Sequence, residues 1–475
     1  MNVQQAEVSN PLGRDKIGVL LARFGIPSVI SMLVSALYNI VDQIFIGQGV
    51  GLLGNAATNV ALPLTTISMS IALLLGVGGA SNFNLELGAG NRDKAMKIGG
   101  NTLSLLAVCG VALCVLIRIF LNPLMLAFGS TELVLPYALT YTGITSFGFP
   151  FLILCSGTCN LIRADGSPKY SMVCMVTGAI INTILDPLFI FVFHWGIAGA
   201  AWATVIGQVV SCLIALKYLT GFRTGKFTRD CFRIRKKQSI SICALGASSG
   251  FNQIAMMVVQ IAMNNTMTHY GAQSVYGREI PLAVSGIIGK VNMILMAFGI
   301  GIAQGSQPIV GFNYGAKNYK RVKDTYRLGI LVVTGIFTLG FLCFQLFPRQ
   351  IIRIFGDGDE LYYVFAARYF RIYLMLVFIN GLQIVSSSFF TSIGKAFKGV
   401  ILSLTRQIIF LLPLILCLPV FFGIDGVMFA GPIADGMAAI TAVILVLGEM
   451  KKMRLLEESY SGGMHTRVKG DSQLS

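Results

Sequence analysis

Twelve stretches of about twenty predominantly apolar residues, separated by short polar breaks, constrain this chain more than any other feature. They run roughly 24–47, 56–86, 99–121, 136–161, 170–193, 199–219, 239–267, 280–311, 326–347, 363–390, 400–421 and 427–449. A helix spanning a bilayer needs about 20 apolar residues, and each stretch supplies them. Of the 475 residues, 55% are hydrophobic and 12% charged, whereas a soluble domain carries about 25% charged residues. In water such a surface would be one continuous apolar patch. Lipid suits it, and the expected fold is an all-α polytopic membrane protein with twelve transmembrane helices.

The breaks test that count. Basic residues follow every second span: Arg92, Lys94 and Lys97 after the second, Arg163 and Lys169 after the fourth, Lys317, Lys320, Arg321 and Lys323 after the eighth. Arg14 and Lys16 precede the first span, Lys395 and Lys398 follow the tenth, and Lys451, Lys452 and Arg454 follow the twelfth. The alternate breaks are short and nearly uncharged, except the one after span nine, which mixes Arg349, Arg353, Asp357, Asp359 and Glu360. Basic loops gather on the cytoplasmic side of a bacterial inner membrane, so both termini are expected there. The net charge of +16 punctuates the apolar runs instead of forming one basic face, which argues against nucleic acid as a partner. Met1 to Asn10 hold no apolar core of a signal peptide, so the first span is expected to act as its own insertion signal. The ten cysteines form no CxxC pair and read as small packing residues.

The chain also repeats itself. Gly88-Ala89-Gly90-Asn91 after span two matches Gly315-Ala316-Lys317-Asn318 after span eight, at an offset of 227 residues. At the same offset, Gly196-Ile197-Ala198-Gly199 matches Gly423-Ile424-Asp425-Gly426. Six spans per copy is an even number, so the copies point the same way and form parallel repeats. The expected organisation is a six-helix lobe over 1–220, a basic linker over 221–238, a second six-helix lobe over 239–450 and a tail over 451–475. Two lobes flanking a cleft suit alternating access better than a fixed pore or a receptor.

Acids inside spans are functional candidates, because each costs at least about 2.5–3.5 kcal/mol to insert. Asp42 lies roughly 27 Å along span one and Asp186 roughly 24 Å along span five, at 1.5 Å per residue. Both fall in the outer half. Asn182 stands one turn before Asp186 on the same face, and Tyr141 of span four and Thr204 of span six reach the same layer. These five residues form the candidate ion-coupling cluster. Pro27 and Pro187 are expected bending points, since proline removes a backbone donor. A proton bound there from outside and released inside would draw on the membrane field. A sodium ion would use the oxygens of Asp42, Asn182, Asp186 and Thr204.

Other charges divide between roles. Glu86 is expected to pair with Arg92 at the inner end of span two. Arg406 and Asp435 are expected to pair across the second lobe. Lys290 reads either as a pocket residue or as an internal counter-ion. Met256, Met257, Met263, Met267, Met293 and Met296 line spans seven and eight, where adaptable thioethers suit either core packing or a promiscuous surface. Met256, Gln260, Asn264, Lys290 and Met293 are the candidate substrate-cleft residues.

Three stretches taken together resemble the multidrug and toxic compound extrusion (MATE) family, within it the DinF-like branch that includes MepA-type exporters. They are Tyr38-Asn39-Ile40-Val41-Asp42-Gln43-Ile44-Phe45-Ile46-Gly47 after Pro27, Asn182-Thr183-Ile184-Leu185-Asp186-Pro187-Leu188-Phe189-Ile190, and Gly305-Ser306-Gln307-Pro308-Ile309-Val310-Gly311-Phe312-Asn313-Tyr314-Gly315-Ala316. The resemblance runs from about Gly13 to Lys452. It implies a V-shaped two-lobe fold that exports amphipathic, often cationic drugs against inward proton or sodium flow, with no other cofactor. Its ion-linked residues in the first lobe fall on Asp42, Asn182, Asp186, Thr204 and Tyr141. NorM-like members place acids in spans seven and ten for a sodium site in the second lobe. Here those spans offer Gln253, Gln260, Asn264, Asn380 and Gln383, so that site is not expected.

The expected function is therefore an ion-coupled multidrug antiporter, proton ahead of sodium, acting as a monomer among membrane lipids and not an enzyme. A flippase for a lipid-linked precursor is the alternative, and it would want a strongly cationic cleft. A membrane-embedded lipid-modifying enzyme would want a His or carboxylate cluster at the membrane surface. His194, His269 and His465 form no paired motif.

Overall fold

The structure, a computed structural model, describes residues 10–355 and 359–471, with side chains through Glu458. Asp357, the residues before Asn10 and the last four residues lie outside the described residues. Among the described residues ten helices are each long and apolar enough to cross a membrane: α1 Ile17–Gly49, α2 Leu52–Gly88, α3 Arg92–Ile119, α5 Pro168–Val192, α6 Gly196–Leu219, α7 Lys236–Ala272, α8 Glu279–Gly315, α9 Tyr319–Leu346, α11 Ala396–Phe422 and α12 from Ile424. Two further spans are bent pairs. In α4, Leu135–Thr145 meets Phe149–Ala164 at 51°, and in α10, Glu360–Tyr373 meets Val377–Ser392 at 48°. Counting each pair once gives twelve. Both bends fall at the same place in the two repeats.

Several local expectations change. Pro27 lies inside the unbroken helix α1, where the Ser31 hydroxyl donates to the Pro27 carbonyl at 2.9 Å and the Ser28 hydroxyl to that of Phe24 at 2.9 Å. At Pro187 the α-helix gives way to a π-turn over Leu188–Val192. A missing N–H at a proline leaves room for that wider turn. α12 runs on to Asp471, so the tail expected from residue 451 begins as helix. Glu86 pairs with Lys94 at 2.6 Å, and not with Arg92. The Arg92 guanidinium donates to the Thr224 carbonyl instead.

The first six spans pack among themselves, as do the last six, and the two lobes meet along α1, α2, α7 and α8. The meeting points show the internal symmetry directly. A Cβ on Gly88 would stand 2.0 Å from the Phe312 carbonyl oxygen, and one on Gly315 would stand 2.1 Å from that of Leu85. Each contact is the other shifted by the repeat offset, as at a two-fold interface. Only glycine lets backbones come this close. Farther along, Gly301 and Gly305 of α8 press on Val29 and Gly25 of α1, while Gly246 and Gly250 of α7 press on Leu74 and Ser70 of α2. All these contacts lie in the halves of the helices next to the basic loops. In the other half, Gly286 and Gly289 of α8 face open space. Gly88→Val should wedge the crossing at its tight end. The expected result is a melting temperature several degrees lower in detergent, as for other overpacked contacts.

The linker does not hang free. Asp165, in the turn between α4 and α5, accepts from Arg223 N at 2.7 Å, Thr224 N at 2.8 Å, Thr224 Oγ1 at 2.5 Å and Tyr218 Oη at 2.8 Å. Burial pushes the Asp165 carboxyl up from its ordinary range, and the bonds from Thr224, Arg223 and Tyr218 pull it back. Arg235 holds Asp230 at 2.7 Å. On the opposite lobe, Arg321 donates to the carbonyls of Leu12 and Asp15, at 3.1 and 2.7 Å, ahead of α1.

Candidate functional site

Four helices bring the first-lobe candidates together. α1 supplies Asp42, α5 supplies Asn182 and Asp186, α6 supplies Thr204 and α4 supplies Tyr141. The α5–α6 crossing is tight, since a Cβ on Gly207 would stand 2.8 Å from the Gly178 carbonyl oxygen. That approach carries Asn182 and Thr204 into contact. With its amide nitrogen donating to Asp186 Oδ2 at 3.1 Å, the Asn182 oxygen faces the Thr204 hydroxyl at 3.2 Å. Tyr141 lies near Thr204, Asp42 and Asp186. Asp186 and Asn182 are buried, at 0% and 3% exposure.

The two carboxyl groups face each other. Asp42 and Asp186 are within hydrogen-bonding reach, and among the described residues no cationic side chain acts on either. Asp42 Oδ1 is buried without a hydrogen-bond partner. Two facing carboxylates in a medium of low dielectric repel unless a proton or a small cation sits between them. The side-chain oxygens of Asp42, Asn182, Asp186 and Thr204 are hard donors of the kind that suit sodium, and the same oxygens suit a shared proton.

One neighbour was missed by reasoning on the sequence. Tyr38 stands one turn before Asp42 and lies near both acids. Its signal was available, since residues four apart share a helix face.

The second lobe differs. Arg406 Nε donates to Asp435 Oδ1 at 2.6 Å, with both side chains buried. The Asn380 oxygen, suitably turned, accepts from Arg406 Nη2 at 3.2 Å. This is the pair expected across α11 and α12. Asp435 thus has a cation from the protein itself, and among the described residues Asp42 and Asp186 have none.

The cleft candidates sit elsewhere. Gln260 Nε2 donates to Asn264 Oδ1 at 2.9 Å on α7. Met256 and Met293 are 41% and 43% exposed, and Lys290 is exposed on α8. The structure does not bring these five against the acid cluster, which lies within the first lobe. Met263 and Met267 are buried in the second-lobe core.

A duplicated bundle of membrane-spanning helices, two lobes in close contact at one end and a buried acid pair with no counter-charge among the described residues are the marks of a secondary transporter. The chain belongs to the MatE family, whose model matches residues 27–188 and 248–417, one stretch in each repeat. It is 24% identical over 431 residues to the multidrug export protein MepA of Staphylococcus haemolyticus, covering 90% of this chain and 92% of that one. It is 25% identical over 397 residues to the probable multidrug resistance protein YoeA of Bacillus subtilis, covering 81% and 83%. Among solved structures, the MATE multidrug transporter DinF-BH in complex with rhodamine 6G is 36% identical, with a TM-score of 0.83 over 90% of this chain and 95% of that one. An outward-facing MATE transporter of the MOP superfamily has a TM-score of 0.86 at 22% identity, over 96% and 99% of the chains, and that likeness concerns the fold.

Proposed function

We propose that this protein exports amphipathic organic drugs, cations among them, from a bacterial cytoplasm in exchange for an inward-moving cation, with the proton ahead of sodium. The observation that carries this reading is the facing pair Asp42 and Asp186, without a cation of the protein beside it and with Asp42 Oδ1 unpartnered. The relatives support it, being multidrug export proteins by description. Basic loops at the end where the lobes touch favour a cytoplasmic position for that end and for both termini. The lobes over 1–220 and 239–450 then rock about the crossing of α2 and α8, while the linker and the tail stay inside. Drug enters between the lobes from the cytoplasm. A proton taken up from outside by Asp42 or Asp186 removes their repulsion and lets α1 shift at Pro27 and α5 at Pro187. That shift expels the drug.

The test is ethidium transport in proteoliposomes holding the purified protein. A pH gradient alone should drive it. Transport that runs only on a sodium gradient would reassign the same oxygens as sodium ligands. Silence under both gradients would overturn the exporter reading in favour of a lipid-linked flippase.

A further inference from the structure

We propose that a cavity at the end of α9 is a binding site for a phosphate group, carried by an anionic phospholipid headgroup or by a soluble phosphate. It lies in the second lobe, apart from Asp42 and Asp186, and has no part in the proposed coupling.

The break after span nine carries arginines where the other breaks on its side are nearly uncharged. It folds as a short helix, Pro348–Phe355, packed against α9 and the first half of α10, Glu360–Tyr373. α9 starts at Tyr319, four residues after Gly315 of the tight crossing, and Leu346 lies roughly 40 Å farther along. A bilayer with its headgroups measures about 40–45 Å. Leu346 therefore stands at headgroup level, on the face opposite the basic loops.

At that level Leu346, Arg349, Val364, Arg368 and Arg371 line a cavity of about 530 Å³, the size of a small-molecule site. Three of its nine lining residues are arginines and none is an acid. On α10, Val364, Arg368 and Arg371 follow at helical spacing and share one face. Arg371 is fixed by a reciprocal pair of bonds. Its Nε donates to the Gln345 carbonyl at 3.4 Å, and Gln345 Nε2 donates to the Arg371 carbonyl at 2.9 Å. Arg349 Nη2 holds Glu360 at 2.7 Å and Arg368 Nη2 holds Asp425 at 2.7 Å. Asp359 caps α10 by accepting from Tyr362 N at 2.8 Å, and Asp357 lies outside the described residues. Arg371 has no acid partner among the described residues. A guanidinium carries five N–H donors in a fork that fits phosphate, and each of these three spends one nitrogen on the bonds above. Arginines that only anchored a helix end would splay toward water instead of lining one hollow. Leu346 and Val364 are exposed and offer apolar surface where acyl chains would run.

Native mass spectrometry of the full chain tests this, with the protein released from micelles holding equal amounts of phosphatidylglycerol and phosphatidylcholine. Phosphatidylglycerol should be retained about tenfold over phosphatidylcholine, whose choline cation meets the arginines. Arg349→Gln and Arg371→Gln should each cut that preference by at least about threefold. Arg353 stands over the Tyr363 ring at 5.8 Å and does not line the cavity, so Arg353→Gln should leave the preference unchanged. Arg349→Gln breaks only an exposed ion pair, so it tests the site even if Arg371→Gln fails to fold. Melting curves in lipid-free detergent with inorganic phosphate separate the two sources. A phosphate-dependent rise that Arg349→Gln abolishes, without a lipid preference, assigns the site to a soluble phosphate. Equal retention of the two lipids together with no such rise overturns the proposal. So does a preference that Arg349→Gln keeps or that Arg353→Gln loses equally. None of these outcomes bears on drug export.

Discussion

Asp42→Asn and Asp186→Asn should each lower pH-driven ethidium transport in proteoliposomes by more than about tenfold, and the double variant should be no worse than either single one. Asparagine keeps the shape of the side chain and removes its ability to exchange a proton. The two acids face each other with no internal cation, so they act as one unit, and residues that act as a unit are not additive. Burial of Asp186 and the unpartnered Asp42 Oδ1 predict that both variants still fold, because each loses a charge that nothing in the protein offsets. Equal yield and melting temperature should accompany the loss of transport. A wild-type rate in either variant would sink the proposed coupling role.

The second large effect falls on stability. Arg406→Ala leaves Asp435 buried and uncompensated beside Asn380. Breaking such a pair from one side costs about 3–5 kcal/mol. The expected result is a marked fall in melting temperature for Arg406→Ala and for Asp435→Asn. The double replacement Arg406→Met with Asp435→Leu should recover most of it, since apolar residues of similar volume substitute well for a buried ion pair. If Arg406→Ala melted within a degree of the wild type, the pair would not be tying α11 to α12.

Much of the site was legible before any coordinates. Depth follows from counting residues along a helix, and counting set Asp42, Asn182, Asp186, Thr204 and Tyr141 in one layer. Tyr38 carries no charge at membrane depth, so only its one-turn spacing from Asp42 marks the shared face. Glu86 was assigned to Arg92 by closeness in sequence. Lys94 took it because α3 begins at Arg92 and turns that residue toward Thr224 of the linker.

The sequence by itself determined the solvent, the number of spans, the alternation of basic loops and the duplication. Each follows from one-dimensional facts: segment length against bilayer thickness, charge against a membrane potential, and identity at a fixed offset. Only the tertiary structure decided how each helix is turned about its own axis. That rotation puts Asp42 against Asp186 and leaves Lys290 exposed. It depends on where backbones can approach, at Gly88 against Phe312 or Gly207 against Gly178. Helix phase tells which residues share a face, and packing alone chooses what that face meets.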